Sequence, residues 1–150
     1  MTSHTDHHHH GSALKTSAHA TAHCLVGCVI GETAGLAIGV TLGLGVAATI
    51  ALAVILAYVA GLSLAILPVM RREQLSLSAA FRVVWLAEGI SIAIMELVMN
   101  WVAYLAGGVQ AGSVFEPIFW IGLLVSIPPA FLAAWPVNYW LLKKELRVAH

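Results

Sequence analysis

Polar side chains thin out after residue 21, and from there to residue 142 long apolar runs alternate with short breaks. Four runs stand out, at about 22–44, 46–70, 79–106 and 115–142. Each is long enough to cross the roughly 30 Å hydrocarbon layer as a helix, which takes about 20 residues. Gly45 and its neighbours predict a tight antiparallel hairpin between the first two. Pro68 and the Arg71-Arg72-Glu73 cluster end the second run, and residues 74–78 form the only substantial polar connection. Gly107-Gly108 through Gly112-Ser113 breaks the third run from the fourth. The pattern predicts an all-α, integral membrane four-helix bundle. The flanks read as a disordered, His-rich arm over residues 1–21 and a short basic tail over 143–150.

Composition removes the main alternatives. Sixty per cent of the 150 residues are apolar and 9% are charged. A soluble domain carries about a quarter charged residues. The spans nearly fill the chain, so no soluble catalytic domain is expected, and an enzyme is the less favoured class. A net charge of zero gives no reason to expect nucleic acid. The polar, His-rich start lacks the basic-then-apolar order of a cleavable signal peptide. Lys15, Arg71, Arg72, Arg82, Lys143, Lys144 and Arg147 all fall on one side of a four-span arrangement. The bias of basic residues towards the cytoplasm then places both termini and the middle loop there.

Gly27, Gly31, Gly35, Gly39 and Gly43 form a four-residue ladder along the first span. Small residues at this spacing let a second helix approach closely. The partner is either another span, a second copy of the chain or another membrane protein.

The chemistry sits beside this ladder. Cys24, Cys28 and Glu32 recur every four residues and share one helix face, with His23 adjacent. Consecutive helical turns hold the two thiols about 6 Å apart along the axis, which suits a shared soft ion better than a disulfide. His23 lies about 100° round the helix from Cys24, so both can ligate one ion only if the first turn frays. On the third span Glu88, Ser91, Glu96 and Asn100 interrupt the apolar run, with Met95 and Met99 beside them. Carboxyl groups in lipid are expected to point into the bundle, as ligands, an ion path or interhelical hydrogen-bonding groups. Thioethers beside thiols favour Cu(I) over zinc. Asn138 falls near His23 and Cys24 in depth and is a candidate supporting partner. The five tryptophans, Trp85, Trp101, Trp120, Trp135 and Trp140, read as interface anchors. The arm's His4, His7, His8, His9, His10 and His19 suit metal loading, although HHHHGS also resembles a tag and linker.

From His23 to His150 the chain resembles a bacterial family of small four-span membrane proteins classed as a domain of unknown function. The matching segments are HCLVGCVIGE at 23–32, SIAIMELVMN at 91–100 and PVNYW at 136–140, with the terminal His150. The resemblance implies the fold and an inner-membrane setting, and singles out His23, Cys24, Cys28, Glu32, Glu96, Asn100 and Asn138. It brings no established activity. Two positions depart from the family's pattern. Glu88 is followed by Gly89 where many relatives have a threonine or similar, and Met99 stands where an acidic residue commonly precedes the asparagine. The expected function is binding, sensing or transport of a transition metal, copper before zinc. A structural or assembly subunit docking through the glycine ladder is the first alternative, and a thiol-redox membrane protein the second.

Overall fold

The computed structural model describes residues 6–148, with side chains over 13–144. Four helices follow one another: α1 Asp6–Thr41, α2 Val46–Glu73, α3 Leu77–Leu105 and α4 Pro117–Val148. Among the described residues there is no strand. All four helices contain stretches long and apolar enough to cross a membrane. They run antiparallel in sequence, so the start of α1 and the end of α4 share one end of the bundle. Helix α1 packs on α2 and α4, α3 packs on α2 and α4, and α1 meets α3 across the axis.

Glycine chemistry closes two of the turns. Gly43 has φ +65°, Gly43 N–H donates to Val40 O (3.1 Å) and Leu44 N–H donates to Gly39 O (2.9 Å). Gly107, at φ +82°, ends α3 with the same pair of bonds, to Tyr104 O and from Gly108 to Ala103 O. This Schellman geometry satisfies the last carbonyls of a helix and favours glycine because a Cβ strains the left-handed backbone. Gly43 is therefore a turn residue, although it keeps the ladder's spacing. At the other end Ser76 caps α3, its hydroxyl accepting from Ala79 N–H at 3.4 Å.

The rest of the ladder is closed by α2. A Cβ on Gly27 would meet the Gly61 backbone at 2.7 Å, and those on Gly31 and Gly35 would strike the backbones of Ala57 and Ala53. At Gly39 it would meet Thr49. Small residues on both helices thus remove the side-chain layer between α1 and α2. Of the partners the ladder allows, the chain's own second helix is the one packed against it in the structure.

The bundle is apolar outside, and within it small and polar residues stand beside larger apolar ones such as Leu36, Ile92 and Phe119. Ile30, Ile55, Val59, Leu97, Leu124 and Leu132 are all more than half exposed. Buried positions hold Ala53, Ala57, Ala103, Ala130 and Ala134 together with Ser17, Thr21, Glu32, Ser91, Glu96, Asn100 and Ser126. A soluble bundle shows the reverse.

Two boundaries differ from the expected ones. Helix α1 begins at Asp6, so most of the stretch expected to be a disordered arm extends the first helix. Ser17 donates to Leu14 O at 2.9 Å and Thr21 to Ser17 O at 2.7 Å, so these hydroxyls are consumed within the helix. Trp135 and Asn138 of α4 cover the same face. Helix α4 likewise continues to Val148 through most of the segment expected as a tail. The side chains of His4, His7, His8, His9, His10, Arg147 and His150 lie outside the described residues, as does any test of metal loading by the arm.

Candidate functional site

The inward stripe of α1 reads Ser17, Thr21, Cys24, Cys28 and Glu32, all buried. Its spacing of four, three, four and four keeps one face turned to the axis over about 22 Å. Across the axis α3 presents Ser91, Met95, Glu96, Met99 and Asn100, also buried. The two stripes meet near mid-bundle, where the small contacts of α1 with α2 let α1 come close.

Both cysteines are free thiols. Cys24, Cys28, Glu32 and Glu96 lie close enough together for Cys28 to feel the other three electrostatically. Glu32 and Glu96 are close enough to interact electrostatically. The Asn100 amide donates to Glu96 O at 2.9 Å and to Glu96 Oε2 at 3.2 Å, fixing the carboxyl's direction. Tyr58 of α2 closes the side, its hydroxyl donating to Gly89 O at 3.0 Å.

Five buried side-chain atoms have no hydrogen-bond partner among the described residues: both oxygens of Glu32, Ser91 Oγ, Glu96 Oε1 and Asn100 Oδ1. All five are oxygens on the facing stripes of α1 and α3. Buried polar atoms are nearly always satisfied, and an orphan costs about 1–3 kcal/mol. These oxygens stand among groups that can donate, the thiols of Cys24 and Cys28 and the Ser91 hydroxyl, so the cluster is polar and incompletely paired. Among the described residues no three His, Cys, Asp or Glu side chains stand close enough together to hold a metal ion as they are. Any ion bound here would draw on the sulfurs of Met95 and Met99 or on rotamer changes of the carboxylates.

Several expected site residues lie elsewhere. His23 is exposed, and its Nε2 is 3.3 Å from Leu64 O on α2. Pro68 has no N–H for the carbonyl four residues earlier, which is Leu64. The imidazole takes the place of that donor, so His23 repairs α2 and stands apart from Cys24. Asn138 donates through Nδ2 to Thr21 Oγ1 at 2.9 Å, one turn before the thiols, with no bond to His23. Glu88 is half-buried and lines a separate cavity with Asn138 and Ser17. Trp135, expected as an interface anchor, donates to Ser17 Oγ at 3.1 Å and ties α4 to α1.

Sequence reasoning missed Ser17, Thr21 and Tyr58. The first two continue the cysteine spacing towards the N-terminus, a signal hidden by starting the helix at residue 22. Tyr58 carried no such signal.

Cavities border the polar interior at its side and at its basic end. A lateral cleft of about 480 Å³ between α2 and α3 reaches Glu96 and Asn100 past Ile50, Val54, Leu97 and Trp101. A cavity of about 290 Å³ opens at the basic end, with Thr16, Ser17, Glu88 and Asn138 in its wall.

The fold and this core define a class: an all-α chain of four candidate membrane-spanning helices with thiols, carboxyls and an amide gathered on its axis. The chain belongs to the family described as Domain of unknown function (DUF4396), whose model matches residues 14–147. Neither the curated proteins nor the solved structures give a match.

Proposed function

We propose that this chain is a multi-pass protein of a bacterial inner membrane that binds a transition-metal ion, preferentially Cu(I), between α1 and α3. The observation that carries the reading is the pair of free, buried thiols on one face of α1, with the buried thioethers of Met95 and Met99 on α3. Cys24 and Cys28 supply thiolates, and Met95 and Met99 supply thioethers, a soft set that favours Cu(I). Two thiolates already outweigh the single charge of Cu(I), so Glu32 and Glu96 are not needed to balance the ion. His23 is left out of the ligand set because Leu64 engages it. The one-sided basic residues favour both termini in the cytoplasm, so the stripe from Ser17 to Glu32 leads inward from that side.

The assembly reading loses support because α2 fills the glycine ladder. A thiol-redox role is disfavoured by the placement of both cysteines on consecutive turns of one helix.

The test is metal content. Full-length protein purified in detergent and supplied with chelator-buffered Cu(I) should retain copper in stoichiometric amount. The chain carrying Cys24→Ser and Cys28→Ser should lose that copper while keeping its helical circular dichroism. Equal copper in both proteins would overturn the site.

A further inference from the structure

Two of the five unpartnered oxygens belong to residues that line the lateral cleft between α2 and α3. Glu96 and Asn100 both stand in its wall, and both are more than nine-tenths buried. Around them lie Ile50, Val54 and Leu97, with the rings of Tyr58, Trp101 and Tyr104. Among the described residues no basic side chain lines the cleft. Its volume of about 480 Å³ falls in the roughly 300–1,000 Å³ range of small-molecule sites, whose walls are apolar with a few placed polar groups.

The hydrogen bonds of the polar pair define what an occupant must bring. The Asn100 nitrogen donates to Glu96 O and Glu96 Oε2, one turn earlier on the same helix. A backbone carbonyl can only accept, so the amide orientation is assigned and Asn100 Oδ1 is left as a free acceptor. Glu96 Oε1, on the neighbouring turn, is also without a partner. A carbonyl-headed molecule would bring another acceptor and leave Asn100 Oδ1 unsatisfied. A charged head would have to shed its water among Ile50, Val54 and Leu97. A hydroxyl is neutral, and it can donate to Asn100 Oδ1 while accepting from a protonated Glu96.

Position narrows the choice further. The cleft opens on the side of the bundle, where Leu97 and Trp101 are exposed. Glu96 stands nine residues (96 to 105) before the end of α3, about 14 Å along the axis. In the proposed membrane setting that depth belongs to lipid tails, so a phospholipid headgroup does not reach the polar pair.

We infer that the cleft is a binding site for a neutral, lipid-soluble alcohol or phenol, which enters between α2 and α3 and hydrogen-bonds Asn100 Oδ1. The hydroxyl meets the pair of Asn100 and Glu96, and the apolar body lies against Ile50, Val54 and the Trp101 ring. The inference takes only the membrane setting from the proposed function and is independent of copper.

The probe is a brominated long-chain alcohol, whose bromine quenches tryptophan fluorescence on contact. Full-length protein in detergent, free of copper, is titrated with it and separately with the bromoalkane of equal chain length. Subtracting the response of Trp101→Phe isolates the quenching of Trp101 in the cleft wall. The alcohol should quench Trp101 at about a tenfold lower mole fraction than the alkane, the gain from one recovered hydrogen bond. Excess unbrominated alcohol should restore the fluorescence. Asn100→Leu, similar in size but without the acceptor, should reduce the alcohol to the potency of the alkane. Ala93→Phe puts a ring in the cleft wall away from the polar pair and should abolish the displaceable quenching. It decides the matter if Asn100→Leu loses its helical circular dichroism. Equal potency of alcohol and alkane in the wild type, or quenching that unbrominated alcohol does not reverse, would overturn the site. So would an alcohol advantage that survives Asn100→Leu, or displacement that survives Ala93→Phe. A chain that stays soluble without detergent would overturn the membrane setting, while the titration still decides the cleft.

Discussion

His23 Nε2 lies 3.3 Å from the carbonyl oxygen of Leu64, the acceptor that Pro68 leaves without its helical donor. A proline in a spanning helix is tolerated where a neighbouring group re-satisfies the freed carbonyl. Here the group comes from α1. His23→Leu should therefore cost about 1 kcal/mol, measured as a lower unfolding midpoint in detergent. Copper stoichiometry should not change, and loss of copper at unchanged stability would return His23 to the ligand set.

Gly35 approaches the Ala53 backbone so closely that even a methyl group has no room. Gly35→Ala should destabilise the protein by about 1–3 kcal/mol despite alanine's better helix propensity. Gly89→Ala is the control, because a Cβ there meets open space. Its midpoint should equal or exceed that of the wild type. Equal midpoints for both variants would show that the α1 and α2 backbones are not in contact.

The Glu96 carboxyl accepts from Asn100 through Oε2 while Oε1 has no partner. Glu96→Gln keeps an acceptor at that place, so the helical spectrum and unfolding midpoint should be retained. An unfolded Glu96→Gln chain, rescued by neutralising a basic residue, would point to an ionised carboxylate paired with that residue in the folded protein.

Thiols must release protons to become metal ligands, so binding and protonation compete. Copper affinity should fall as pH is lowered, in a titration against a chelator of known pH dependence. The fall should be absent in the chain with Cys24→Ser and Cys28→Ser, and a flat profile in the wild type would exclude thiolate ligation.

Topology has its own check. A cysteine introduced at Ser78, exposed in the first turn of α3 after the Arg71-Arg72 connection, should react with a membrane-impermeant reagent only after cells are opened. Reaction in intact cells would reverse the orientation.

The helix number, the hairpin at Gly45 and the inward row of Cys24, Cys28, Glu32, Glu96 and Asn100 were all legible in the sequence. They follow from run length and from the cost of polar groups in lipid, which act locally along one helix. Three features were not legible. The extension of α1 back to Asp6 depends on Ser17 and Thr21 meeting Trp135 and Asn138, more than a hundred residues away. The role of His23 depends on Pro68 in a different helix. The ladder's partner could be named only once Ala53, Ala57 and Gly61 were seen to match its rungs. Each is a relation between two segments whose register the linear pattern does not encode.

The mid-bundle polar groups are divided between two hairpins. Cys24, Cys28 and Glu32 enter with α1 and α2, whereas Ser91, Glu96 and Asn100 enter with α3 and α4. In the proposed membrane setting, the first hairpin would enter the bilayer before α3 is there to cover the carboxyl of Glu32, which is fully buried in the complete bundle. It is stable as a helix pair and unfinished as a core. The second half completes the cover over that carboxyl, and in the proposed membrane setting a chain that stops after residue 76 would leave a polar flank turned to lipid. Such a flank is what membrane quality control can recognise, so truncated chains of this protein should be short-lived.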